Sequence, residues 1–387
     1  NFGRGQGHSV PKSGGQVLEL KRELTERQRA LLWLSAAEVT ADRVRQLTEE
    51  FGSPEEIYQA FGQENGPQFQ AKARERLKTL YPADELSAWA EKLEQSHVHL
   101  LFSDDEEYPD WLRAIDDFPY LLYYAGRLSC LTAPMVGVVG TRKASAYGKG
   151  MAHSIARGLA EAGVTVVSGL ARGIDGAAHQ GALDADGSTI GILGSGINVP
   201  YPSEHAPLLR KIAGGKGLIL SEYPLDADPI PFHFPFRNRI ISGLSLGIVF
   251  VEGEVKSGGM LTVHAALAQG REVFAVPGLV GTKGAEGPHT ILREGARIVT
   301  SAQDVLDDLN LLAHAKRHQR EKIEVADAAQ RKILQALQVQ PLTVEQLSQE
   351  LRTDTGDLLV SLSMMEITGL IRREAGNTFL AVFAPKE

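Results

Sequence analysis

Five segments of this 387-residue chain set glycine, hydroxyl and cationic side chains at the end of an apolar run, a combination that suits phosphate. The first is Val138-Val139 followed by Gly140, Thr141 and Arg142, with Ser145 and Tyr147 just beyond. A helix opening there offers free N–H groups and a guanidinium to an anion; an ordinary capped turn is the other reading. The second holds Ser168, Gly169, Arg172, Asp175 and His179. Asp175 and His179, four apart, can be drawn as an acid-base pair, but an N-capping aspartate and a packed histidine account for them more plainly. The third carries Gly194, Gly196, Tyr201 and Pro202, where the aromatic either stacks on a base or packs. The fourth, Phe234-Pro235-Phe236, runs into Arg237, Asn238 and Arg239. The fifth is Lys256 followed by Ser257, Gly258 and Gly259. Together the five predict an extended polyanion or a nucleotide along one edge of a sheet. Neither Gly-x-Gly-x-x-Gly nor a Walker loop is among them.

The elements that must position these turns are legible as alternation. Apolar runs at Met135–Val139, Val164–Val167, Thr189–Leu193, Leu218–Ser221, Gly247–Val251, Glu272–Val276 and Arg297–Thr300 are separated by helical patterns such as Gly150–Ala162 and Met260–Ala268. That alternation predicts an α/β, Rossmann-like parallel sheet with helices on both faces, over residues 97–312. Ligands then bind outside the carboxyl ends of the strands. Before it, residues 21–96 read as a small helical domain: Val44, Leu47 and Phe51 form a stripe, Gly52 a stop, and Ser53-Pro54-Glu55-Glu56 a capped start. Residues 1–20 read as a flexible tail and 313–324 as a charged linker. Residues 325–387 give three helices, marked by Leu334, Leu347 and Leu362, and then a hairpin turning at Gly376-Asn377, which is a winged-helix pattern.

Composition narrows the function. The net charge is −8, so a polyanion must be held by a local basic site rather than by the molecule as a whole. No apolar run approaches the roughly 20 residues of a membrane span, which excludes membrane insertion. A single cysteine, Cys130, excludes a disulfide framework, and no metal or cofactor is called for. The expectation is a cytoplasmic protein.

The central motifs resemble those of the DNA-processing protein A family (DprA, also Smf). They are Val-Gly-Thr-Arg, Ser-Gly-Leu-Ala-Arg-Gly-Ile-Asp, Tyr-Pro, Phe-Pro-x-Arg-Asn-Arg-Ile-Ile-Ser-Gly-Leu-Ser and Gly-Arg-Glu-Val-Phe-Ala-Val-Pro-Gly, in that order. The resemblance implies a non-enzymatic protein that binds single-stranded DNA, dimerises, and loads a RecA-type recombinase during natural transformation. The flanking blocks would be a helical domain of the SAM or helix-hairpin-helix kind and a winged helix. It implicates Arg142, the Tyr201–Pro202 loop, Arg237, Arg239 and the Lys256–Gly259 turn in DNA binding. His289, Leu292 and Ile298 are candidate dimer contacts, or simply monomer core. Ser203 departs from the family, some of whose members have lysine there.

Two other function classes remain to be weighed. The fold also resembles that of LOG-type nucleotide phosphoribohydrolases, but Ala265 stands at the position of their catalytic carboxylate. Glu222 or Glu252 would have to replace it, and both read better as partners of nearby arginines. A duplex-reading regulator would need a basic third helix in the winged block. That helix carries no lysine or arginine between Asp354 and Glu366, which leaves Arg372 and Arg373 on the wing.

Overall fold

A computed structural model describes residues 24–315, 318, 328–367, 370–374 and 377–381. The expected tail, residues 316–317 and 319–324 of the expected linker, and Gly376 of the expected hairpin turn lie outside them; residues 313–315 are helical instead, with Ala315 packed into the core of the sheet domain and His314 meeting the Gly163 carbonyl at 3.2 Å. The N-terminal block is helical, with α1 (Glu26–Ala36), α2 (Ala41–Phe51), α3 (Pro54–Ala60), α4 (Ala71–Leu80) and α5 (Ala83–Gln95). Its local signals act as the sequence predicts. Gly52 closes α2 at φ 99°, a conformation costly for any residue with a Cβ, and the Ser53 hydroxyl caps α3 with Pro54 in the first turn. Trp33 is fully buried at the centre, with Tyr58 and Phe61 edge-on at 4.9 Å.

The chain then enters a nine-stranded sheet through β1 (His99–Phe102), α6 (Asp110–Arg113) and β2 (Leu121–Gly126). The central run is β3 (Met135–Val139), α7 (Ala146–Glu161), β4 (Thr165–Ser168), α8 (Ile174–Asp184), β5 (Thr189–Leu193), α9 (Ala206–Gly214) and β6 (Leu218–Ser221). It continues through α10 (His233–Leu244), β7 (Gly247–Phe250), α11 (Gly258–Ala268), β8 (Glu272–Ala275), α12 (Lys283–Arg293), β9 (Arg297–Ile298) and α13 (Ala302–Asp308). Strand order is β1-β2-β6-β5-β4-β3-β7-β8-β9.

From β6 to β9 every pairing is parallel; β2 pairs antiparallel to β6, and β1 to β2. The sheet is parallel from β6 to β9, as expected, and gains an antiparallel edge that was not expected, because β1 and β2 extend it without a crossover helix. β3 through β7 are buried along their whole length, which requires both faces to be covered. One face packs Ile240 and Ile241 of α10 and Val263 of α11 against Ile190, Ile192 and Ile248. The other packs Ile155 and Leu159 of α7 and Ala178 of α8 against Val136, Val166 and Val249.

The helical block shares a core with the sheet. The Tyr123 hydroxyl meets the Ser35 hydroxyl at 2.8 Å, and Tyr120 donates to the Val39 carbonyl at 2.8 Å. The last block has its own core around Leu347, Leu362, Met365 and Phe379. It contains α14 (Ala328–Val339), β10 (Leu342–Thr343), α15 (Val344–Leu351), α16 (Thr355–Ile367), β11 (Ile371–Glu374) and β12 (Thr378–Ala381), the order of a winged helix. Among the described residues no helix is long and apolar enough to cross a membrane.

Candidate nucleic-acid interface

The chain builds β3 to β6 outward and then returns to place β7 on the other side of β3. That reversal opens a crevice beyond the carboxyl ends of β3 and β7. A cleft of about 580 Å³ lies there, lined by the turns after β3 and β7, the Tyr201 loop and one face of α10. The two principal turns touch: a Cβ on Gly259 would sit 3.0 Å from the Gly140 Cα, so glycine is required for the approach.

Arg142, Lys143 and Lys256 line this cleft with exposed side chains and no ion pair among the described residues. Arg142 lies 5.1 Å above the Phe234 ring, and Tyr201 packs 5.2 Å from the same ring while staying 39% exposed. A guanidinium and two rings around one opening suit both a phosphate and a base. Across the cleft α11 begins at Ser257, whose hydroxyl is buried without a hydrogen-bond partner and makes no cap bond. The N–H groups of Gly258 and Gly259, in the first turn, have no intrahelical acceptor. Asn238 supports this end by donating to the Gly258 carbonyl at 3.2 Å. Two acidic side chains line the cleft, Glu254 at an exposed position and buried Asp175.

Other residues expected at the site are placed elsewhere or already engaged. Thr141 is not a helix N-terminus; α7 starts at Ala146, and the Thr141 N–H donates to the Glu252 carbonyl at 2.7 Å. Ser145 caps α7, and its own N–H and hydroxyl both donate to the Glu252 carboxylate, at 3.0 and 2.9 Å. Glu252 thus holds a helix N-terminus, not an arginine. Tyr147 lies outside the cleft lining and donates to the Pro277 carbonyl at 2.8 Å. Ser168 is fully buried, its hydroxyl on the Val138 carbonyl at 2.7 Å. Gly194 and Gly196 are buried turn residues: a Cβ on Gly194 would strike the Phe234 ring at 2.8 Å, and one on Gly196 the Leu225 carbonyl at 2.2 Å. Pro202 is buried beside Tyr201.

The arginines need the larger correction. Arg172 is exposed but pairs through two nitrogens with Glu204. Arg239 is 6% exposed and bridges Glu222 at 2.7 Å and Asp117 at 2.9 Å, with Phe236 beneath it at 4.0 Å. It is not part of the cleft. Arg237 reaches the cleft wall, yet it is buried and donates to the carbonyls of Gly169, at 2.8 Å, and Ile192. Burial lowers its pKa to about 10 even with the Asp175 carboxylate as counter-charge.

Asp175 is in the first turn of α8 but does not cap it; Gly173 holds that position. Its carboxylate accepts from the Gly169 N–H at 3.1 Å, and burial raises its pKa. His179 is fully buried against the Thr189 hydroxyl at 2.7 Å, and burial pushes its pKa down to about 3. The two do not form an acid-base pair facing ligand. Among the described residues no group of three or more histidine, cysteine or acidic side chains could hold a metal.

Of the dimer candidates, Ile298 is 59% exposed on edge strand β9, Leu292 is half-buried against the sheet core, and His289 meets the Gly278 carbonyl at 3.1 Å. Sequence reasoning missed Lys143 and Phe234. Lys143 adjoins Arg142 in plain view, whereas the role of Phe234 shows only once Gly194 is seen to make room for its ring.

On the winged block the exposed face of α16 is apolar and acidic, with Val360 67% and Ile367 75% exposed. Arg372 pairs with Glu374 at 2.9 Å, and Arg373 approaches Glu366 at 3.9 Å. The wing cations are therefore engaged.

Comparison with known proteins places this architecture. Residues 99–310 match the family model for DNA recombination-mediator protein A, and residues 317–377 that for the DprA winged helix domain. Protein Smf of Escherichia coli is 45% identical over 222 residues, 57% of this chain, and the match spans 59% of that protein's length. The Bacillus subtilis DNA processing protein DprA is 37% identical over 63% of this chain and 84% of its own length. The crystal structure of DNA processing protein A from Streptococcus pneumoniae superposes with a TM-score of 0.64 at 35% identity, covering 74% of this chain and 98% of that one. DNA processing protein A from Helicobacter pylori, whose structure was described for its single-stranded DNA binding mode, gives 0.50 at 30% identity, covering 55% and 95%. With its central sheet and its winged helix both matched, the chain belongs to the DNA recombination-mediator protein A family, that of DprA and Smf.

Proposed function

We propose that this chain binds single-stranded DNA in the switch-point cleft as part of DNA processing in transformation, and acts there as a binding protein rather than an enzyme. One observation carries the reading. The N-terminus of α11, Ser257 to Gly259 with no side-chain cap bond, lines the same cleft as Arg142, Lys143 and Lys256, none of which is neutralised by a carboxylate among the described residues. Phosphates sit at that helix end and on the cations; bases lie against Phe234 and Tyr201. The single-stranded DNA binding of the Helicobacter pylori relative supports the choice of ligand. Asp175, Glu222 and His179 are buried and engaged, and Ala265 occupies the carboxylate position of the hydrolases, which favours binding over chemistry.

Self-association and loading of a RecA-type recombinase complete the proposal. Ile298 on an open sheet edge, with Leu279 and Val280 77% and 83% exposed, supports the first; the second rests on family membership. A dimer presents two clefts to one strand and gains avidity.

Fluorescence anisotropy of matched single- and double-stranded oligonucleotides across a salt series tests the central claim. Preference for the single strand, with log K falling by about 0.7 per neutralised phosphate, is expected. Equal or stronger duplex binding would move the case to the winged helix. Absence of binding to either at low salt would sink the DNA reading and leave nucleoside monophosphates as ligands. Recombinase filament formation on the same single strand, with and without this chain, tests loading.

A further inference from the structure

A second concavity, of about 560 Å³, crosses helices α1, α3 and α5 of the N-terminal block. Its floor is apolar: Ala30, Leu32 and Leu86 are buried there, and Leu24, Tyr58 and Ala90 are half-buried along its walls. Its rim is acidic, with Glu26, Glu55, Glu91 and Glu94 against Arg29. Among the described residues, the ion pairs that tie this block to the sheet domain, Arg27–Asp104 and Lys92–Asp226, and the one from α4 to the turn after α1, Arg76–Glu38, use other residues. The Glu55 Oε2 atom is buried and has no hydrogen-bond partner among the described residues. A carboxylate oxygen in that state is costly until a donor reaches it.

We propose that this groove docks a basic, amphipathic segment of a partner protein, with apolar residues on the floor and one lysine or arginine on Glu55. The chemistry selects this occupant. Four carboxylates repel nucleic-acid and lipid phosphates, so the partner is neither DNA nor a membrane surface. An apolar floor between helices accepts the i, i+3, i+7 anchors of a helix laid along it. The 11 residues of α1 give a groove of about three turns, or ~16 Å. Glu91 and Glu94 on α5 and Glu26 on α1 flank it on both sides, where cations of the bound segment lie. The charge is opposite to that of the switch-point cleft, so protein and DNA are sorted to separate surfaces of one chain.

The test is titration of a short fluorescein-labelled peptide of leucine and lysine, patterned as an amphipathic helix, with the full chain. Saturable binding is expected, and none by the same peptide with glutamate in place of lysine. Glu55→Gln weakens binding about fivefold or more, and Ala90→Arg, which fills the groove and reverses its charge, abolishes it. Glu106→Gln, at an exposed carboxylate outside the groove, leaves it unchanged. Single-stranded DNA affinity, read on the same samples, stays constant in all three variants and reports that each is folded. Equal peptide binding by wild type and Ala90→Arg would overturn the proposal, as would an equal loss in Glu106→Gln. Binding that emerges only after removal of residues 1–23 would also overturn it, by assigning the groove to the chain's own N-terminal segment.

Discussion

Helices α7 and α11 both begin at the switch point, and an anion is favoured at either N-terminus. In α7 that demand is met internally: Ser145 caps the first turn, and the Glu252 carboxylate accepts from the Ser145 N–H and hydroxyl. In α11 it is left open, with Ser257 unpartnered and Lys256 beside it. The cations divide in the same way. Arg237 and Arg239 are buried and engaged, whereas Arg142, Lys143 and Lys256 reach the cleft with no carboxylate partner among the described residues. The proposed binding surface is thus marked by the polar groups the fold leaves unsatisfied, more than by how many it contains.

The largest effect should come from breaking the engaged set. Arg237→Ala leaves the buried Gly169 and Ile192 carbonyls without their donor, removes the positive charge near buried Asp175, and should cost about 2–4 kcal/mol of stability in urea unfolding. Arg142→Ala should stay within about 0.5 kcal/mol in the same assay. For function the order reverses. Arg142→Ala combined with Lys256→Ala should lower single-stranded DNA affinity about 10- to 100-fold and flatten the salt slope by about 1.4, with unfolding unchanged.

A third prediction uses His179, which burial holds near pKa 3 against an ordinary 6.5. The unfolded chain takes up this proton first as pH falls, so stability present above 6.5 is lost progressively between about 6.5 and 3. At one unit below 6.5 the loss attributable to this group is about 1.4 kcal/mol. His179→Gln should flatten that part of the stability profile.

Glu252→Gln sharpens the helix comparison directly. Removing the carboxylate charge at α7 should cost up to about 1 kcal/mol of stability and raise DNA affinity a fewfold, since the second N-terminus becomes less satisfied. The smallest effect is expected on the winged helix, where Arg372 and Arg373 already have acidic neighbours. Arg372→Ala with Arg373→Ala should change DNA affinity less than about twofold.

Much of the frame was readable from the chain alone. β3, β5 and β6 occupy the expected spans, because a strand buried on both faces must be a continuous apolar run between turns. The cap at Ser53 and stop at Gly52 are local chemistry and needed no tertiary help. β1 and β2 were not read, since an antiparallel edge is set by its pairing with β6 and not by a repeating strand-helix pattern.

At the site, sequence determined which residue types lie at the strand ends; tertiary structure decided which of them remain open. Arg237 and Arg239 are two positions apart in a motif, but on α10 they are about 200° apart around the axis. One therefore faces the cleft wall and Asp175, the other Glu222 and Asp117 on the far side. Local spacing fixes helices, strands and caps because those interactions span a few residues. Whether a cation or a helix end is neutralised depends on carboxylates a hundred positions away, as Glu252 is from Ser145, and only the folded chain brings them together.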